Sequence, residues 1–151
     1  MITGIHHFAL TVADVERAVA FYRSFGLDVV ADREVVGDYV EQITGLTGVN
    51  LRICHLSGHG HNLELLEYRA PTGAQRARGL PDVGSAHVCF LTDDLDAECD
   101  RLRDLGVPFR SPAPVTTTSG PNKGGRGIYV EDPDGNAVEV VQLARPWGSE
   151  E

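Results

Sequence analysis

Four side chains in this sequence are of the types, and stand at the spacing, that could hold a divalent metal ion: His7, Glu64, His87 and Glu139. Two imidazoles and two carboxylates suit a borderline or hard ion such as Ni, Co, Zn, Mn or Fe(II), and leave one or two coordination positions for water or substrate. The carboxylates carry the stronger signal. Glu139 shares a strand face with Ala137, Val141 and Leu143, and Glu64 stands between Leu63 and Leu65. An ionised carboxylate in such company is costly unless it meets a metal or a cation. For either glutamate alone, a salt bridge to an arginine at a sheet edge is an equal reading. The four together stand out because they recur at matched positions of an internal repeat.

Superposing His7 on His87 keeps two segments in register without a gap, HFALTVADVERAVAFYRSFGL and HVCFLTDDLDAECDRLRDLGV. Each is a histidine, a strand, an Asp, an amphipathic helix and a Gly. Asp14 and Asp94 fall where a helix N-cap is needed, and Gly26 and Gly106 where a helix ends in a left-handed residue. Val15, Val19, Tyr22 and Phe25 in one copy, and Leu95, Cys99, Leu102 and Leu105 in the other, form one helical stripe. Superposing Glu64 on Glu139 aligns the far ends, GHNLELLEY with GNAVEVVQL. The chain is therefore two copies of a unit of about 75 to 80 residues, each with one histidine on its first strand and one glutamate on its last.

The elements that must position these residues follow from periodicity and turn chemistry. In the first copy, strands are expected at 5–12, 27–31, 49–56 and 62–68, a helix at 15–25 and a short helix or turn from Asp38. In the second, strands are expected at 85–91, 107–110, 127–131 and 137–143, with a helix at 95–105. The Asp132-Pro133-Asp134-Gly135 turn opens the last strand. The reading is one α+β domain over 1–151, built of two tandem βαβββ modules at 5–70 and 85–143 with a linker at 71–84, the modules forming a shared open cleft where the two His/Glu pairs meet.

Bulk properties narrow the function. A net charge of −9 over 151 residues argues against nucleic acid or an anionic membrane as the main partner. No apolar run approaches the length of a membrane span and no signal peptide is evident. Cys54, Cys89 and Cys99, odd in number and without a C-x-x-C, read as reduced core residues of a cytoplasmic protein. His55, His59 and His61 flank or occupy a Gly-rich turn and read as exposed turn histidines rather than a second metal cluster. His6, on the opposite strand face from His7, reads as structural. The loop TTTSGPNKGGRG, Thr116 to Gly127, has the make-up of a lid and brings Lys123 and Arg126 near a strand start, where they could contact an anionic substrate.

The segments IHHFALTV, NLELLEY, SAHVCFLTDDLDA and YVEDPDGNAVEVVQ together resemble the vicinal oxygen chelate superfamily, which includes glyoxalase I, methylmalonyl-CoA epimerase, extradiol dioxygenases and bleomycin-binding proteins. The resemblance covers nearly the whole chain. It implies paired βαβββ modules, frequently a homodimer, and a metal at His7, Glu64, His87 and Glu139. That ligand set is similar to bacterial glyoxalase I and close to the epimerases, which implies an isomerase, epimerase or lyase working through a metal-stabilised enediolate on a small carbonyl substrate. Glu139 or Glu64 would be the base, and Glu41, near where epimerases carry an extra carboxylate, a further candidate. The alternatives are an Fe(II) ring-cleaving dioxygenase and a metal-free protein that binds a drug or metabolite.

Overall fold

The computed structural model describes residues 1–74 and 79–146, so part of the expected linker, 75–78, lies outside the described residues. The chain forms two compact units, Met1–Arg76 and Ala77–Glu151.

In the first unit, β1 (Phe8–Thr11) leads to α1 (Val15–Arg23), β2 (Asp28–Val36), α2 (Asp38–Thr44), β3 (Asn50–Gly58) and β4 (His61–Ala70). The sheet order is β1-β4-β3-β2, with β1 parallel to β4 and the other pairs antiparallel. Asp14 caps α1, its carboxylate accepting from the Arg17 N–H at 3.0 Å. The helix buries Val15, Ala18 and Tyr22. It stops where Gly26 takes φ +79°, a conformation cheap only for glycine. The strand period divides the sheet into two faces. Cys54, Leu56, Leu63 and Leu65 are buried on one. The other carries Leu51 and Ile53, which pack with Val40, Val49, Leu66 and Tyr68.

The second unit repeats the plan. Its elements are β5 (Val88–Leu91), α3 (Leu95–Asp104), β6 (Val115–Thr116), β7 (Arg126–Glu131) and β8 (Ala137–Gln142), in sheet order β5-β8-β7-β6 with β5 parallel to β8. Asp94 caps α3 as Asp14 caps α1, accepting from the Ala97 N–H at 3.0 Å. Leu95, Cys99 and Leu102 form its buried stripe. Leu105, expected to extend that stripe, is exposed because the helix has already ended at Asp104.

Two further expectations are corrected. The strand expected at 107–110 is reduced to a single bridge between Phe109 and Val130, because Pro108 has no N–H to donate and Pro112 and Pro114 follow closely. Pairing resumes only at β6, which supplies the fourth strand. Conversely, β2 runs on to Val36 through Asp32, Arg33 and Glu34, charges that hide a strand from a hydrophobicity pattern. Arg52 on β3 holds that segment by a bidentate contact to the Asp32 carboxylate and also reaches Glu16 on α1 at 2.7 Å. Among the described residues, no helix is long and apolar enough to cross a membrane.

Candidate metal centre

In each unit a histidine just before the first strand meets a glutamate on the parallel strand beside it. In the first, Ala9 is in register with Glu64, and His7 precedes it by one strand period on the same face. His7 Nε2 lies 3.4 Å from Glu64 Oε1. The other ring nitrogen of His7 is 2.8 Å from Nδ1 of His6, so His6 helps orient the imidazole. Asn62 fixes His6 in turn by donating to its carbonyl at 3.0 Å.

In the second unit, Cys89 is in register with Glu139, and His87 holds the place of His7. His87 Nε2 lies 3.2 Å from Glu139 Oε2. Tyr129, directly opposite Glu139 on β7, brings its hydroxyl to 3.4 Å from the same ring nitrogen. Cys89, expected in the core, is exposed in its unit; local desolvation still pushes its thiol up to about 12, reinforced by the Glu139 charge and a hydrogen bond to it. The Tyr129 hydroxyl is raised for the same reasons. Thiol and phenol are thus neutral donors beside the carboxylate at neutral pH. A cavity of about 380 Å³ opens here, with Glu139, Tyr129, Ser111, Thr116 and Thr117 among its walls. That volume suits a small molecule.

His55 has to be moved from the sequence-based picture. It is a mid-strand residue of β3, not a turn histidine, and its Nε2 lies 2.7 Å from Glu64 Oε2. Its register opposite Glu64 could have been read from the hairpin between Cys54 and Leu65, since the turn fixes the pairing. Of its two companions, His59 does lie in the turn, with its ring bonded to the Phe25 carbonyl at 2.8 Å. His61 begins β4 and is exposed.

The remaining residues singled out from the sequence are engaged by other partners or exposed. Glu41 on α2 accepts a hydrogen bond from the Gly48 N–H at 2.8 Å. Arg126 is engaged by Asp96 on α3 through two contacts of 2.7 and 2.8 Å. Lys123 is exposed in the turn between Gly120 and Gly124.

The donor chemistry can be tested against a metal by spacing. Two ligand atoms each about 2.1 Å from a shared ion stand roughly 3.0 Å apart at right angles and roughly 3.4 Å apart at a tetrahedral angle. The His7–Glu64 and His87–Glu139 separations, 3.4 and 3.2 Å, fall in that range. Among the described residues no group of three or more His, Cys, Asp or Glu could hold an ion.

Two βαβββ units, each bringing a His/Glu pair together at its parallel strands, define a two-module α+β fold. The chain belongs to the Glyoxalase/Bleomycin resistance protein/Dioxygenase superfamily, whose family model matches residues 4–140. It is 32% identical to a 2-epi-5-epi-valiolone epimerase of an Actinomyces species over 93% of this chain and 79% of that protein. It is 30% identical to a lactoylglutathione lyase of Pseudomonas aeruginosa over 92% of this chain and 82% of that one. A glyoxalase-family protein of Bacillus cereus has the same fold, with a TM-score of 0.81 at 20% identity and 95% coverage of both chains.

Proposed function

We propose that this protein is a divalent-metal-dependent epimerase, isomerase or lyase that moves a proton at the carbon next to a carbonyl in a small substrate. The observation that carries the reading is the recurrence, once per unit, of an imidazole Nε2 set at ligand spacing from a glutamate oxygen, 3.4 Å and 3.2 Å. The chain's similarity to proteins named as an epimerase and as a lactoylglutathione lyase supports it. His7, Glu64, His87 and Glu139 would hold the ion. When bound, such an ion supplies Lewis-acid stabilisation of charge developing on the substrate oxygens.

The chain's own residues account for the rest. Glu139 is the carboxylate on a cavity wall, so it is the one we assign to take and return the proton, a contribution of roughly 10²–10⁴ in rate. The Cys89 thiol and the Tyr129 hydroxyl, both protonated at neutral pH, donate to it and hold its orientation. Glu64 is the alternative base. Glu41 already accepts a bond from Gly48, which leaves it a structural task. Lys123, exposed in its loop, is the cation we assign to an anionic part of the substrate.

Elemental analysis of the purified chain beside His7→Ala and Glu139→Ala tests the reading. About one metal per chain, lost in both variants, is expected. Wild-type protein should then exchange an α-proton of carbonyl substrates in D₂O. Failure of the wild type to bind Ni, Co, Zn, Mn or Fe(II) on reconstitution would refute it.

A further inference from the structure

Resting on the metal reading above, we propose that His55 is a positioning residue for Glu64: its Nε2–H holds one carboxylate oxygen so that the other is the one presented beside His7. The two oxygens of Glu64 stand in different relations to their histidines. Oε1 is 3.4 Å from His7 Nε2, the separation of two ligands on a shared ion. Oε2 is 2.7 Å from His55 Nε2, the length of a charge-assisted hydrogen bond. One carboxylate is therefore divided between a ligand direction and a tether.

The surroundings of His55 point the same way. Nδ1 is buried and finds no hydrogen-bond partner among the described residues, so the bond to Glu64 is the ring's one polar tie shown there. A polar ring left half unsatisfied is costly. On its sheet face Leu51, Ile53, Leu66 and Tyr68 pack to one side, and Glu64 stands directly opposite it. What the imidazole offers over an aliphatic residue is the N–H aimed at Glu64.

The internal repeat supplies an independent parallel. His55 pairs directly with Glu64 across β3 and β4, and Tyr129 pairs directly with Glu139 across β7 and β8. The Tyr129 hydroxyl also hydrogen-bonds its carboxylate. Each copy thus places a donor opposite its glutamate while using different chemistry to do so. A tethered Glu64 binds through a single oxygen, and metal affinity gains because the ligand need not be ordered on binding.

The test uses full-length protein loaded with Co(II), with affinity measured by chelator competition and coordination by visible absorption. His55→Leu is expected to keep one Co(II) per chain but bind it about 10- to 100-fold more weakly, with an altered spectrum as Glu64 becomes free to bind through both oxygens. His55→Gln, whose amide can donate at similar reach, should recover most of the affinity and the wild-type spectrum. Nitrogen-detected NMR of the metal-free protein should show His55 as the Nε2–H tautomer, and Glu64→Gln should shift that signal. Wild-type affinity in His55→Leu, or an Nδ1–H tautomer, would overturn the positioning role while leaving the metal reading intact. Loss of the metal altogether, as in His7→Ala, would overturn it in favour of His55 as a ligand. A wild type that binds no Co(II) would instead sink the metal reading, with the tautomer still reporting whether the tether exists.

Discussion

Replacing Asp132 should destabilise the chain more than any loop position would suggest. Asp132 is 3% exposed, a buried carboxylate in the Asp132-Pro133-Asp134-Gly135 turn. Its Oδ1 accepts from the Asp134 and Asn136 N–H groups at 2.9 and 2.8 Å, and its Oδ2 from the Asn136 side-chain amide at 2.9 Å. Asp132→Ala removes the acceptor for three donors in one step. A bond to a charged acceptor is worth about 1.5–3 kcal/mol, and a stranded buried donor costs about 1–3 kcal/mol. With part of the turn relaxing toward water, the expected loss is about 3–5 kcal/mol, a large share of a typical domain's stability. Asp132→Asn keeps Oδ1 but sets an amide against the Asn136 amide, for an expected loss of about 1–2 kcal/mol. Adding Asn136→Asp should restore the side-chain pair in reverse and recover at least half of that. Urea unfolding followed by circular dichroism reads all three. A loss below about 1 kcal/mol for Asp132→Ala, or a double variant no better than Asp132→Asn, would refute the account. The turn also sets the start of β8, where Glu131 pairs with Ala137, so Co(II) affinity should fall with the stability.

Acid should unfold the chain through its tethered carboxylates. The Arg52 guanidinium holds Asp32 below its ordinary 3.8, and that of Arg126 does the same for Asp96. Burial would raise Glu67, but the bond from the Val15 N–H and the Arg69 guanidinium together bring it below 4.5. These depressed groups contribute stability that is fully present above the ordinary values and is lost as pH falls through the depressed ones. Melting temperature should therefore be flat from neutral pH down to about 5 and drop below about 4, and Arg52→Met should shallow that drop; an unchanged slope would count against the tether. With its thiol raised to about 12, Cys89 should alkylate about a thousandfold more slowly at pH 8 than an unperturbed cysteine, and faster in Glu139→Gln; ordinary reactivity by mass spectrometry would contradict this. Gly58→Ala should cost about 1–3 kcal/mol by thermal melt, because the added methyl meets the Gly26 carbonyl and the Leu27 side chain; a neutral result would mean that the strand end yields easily.

What was legible in the sequence is what has a period or a local chemical cause. Asp14, Asp94, Gly26 and Gly106 mark helix ends for reasons confined to one turn, and the structure has them capping α1 and α3 and taking φ of +79° and +74°. The offset between the copies brought His7 and Glu64 to one face, and likewise His87 and Glu139, without any knowledge of the sheet. Features that depend on long-range pairing were not legible. The second half of β2 is written in Asp32, Arg33 and Glu34, whose strand conformation is rewarded only by Arg52 on the next strand. The strand expected around Pro108 is apolar enough, but a residue without an N–H cannot extend the ladder.

His55 belongs with the illegible features for a related reason. Its role depends on register across a hairpin, and the neighbouring Gly58, His59, Gly60 and His61 make it look like one of a cluster of turn residues. The repeat could have separated it: His55 faces Glu64 as Tyr129 faces Glu139, so the two copies share a position even though they share no residue there. An identity-based comparison passes over such a position because imidazole and phenol do not match. Comparison by function at the site finds it, because both deliver a donor to a carboxylate held among apolar neighbours. A duplicated fold is free to vary the donor in each half as long as each glutamate keeps one. The halves then differ in how firmly the carboxylate is held: by a short imidazole bond at 2.7 Å on Glu64, and by neutral phenol and thiol donors on Glu139. The firmer tether suits a fixed ligand and the softer one a carboxylate that must release and recover a proton, which is the division of labour we assign to Glu64 and Glu139.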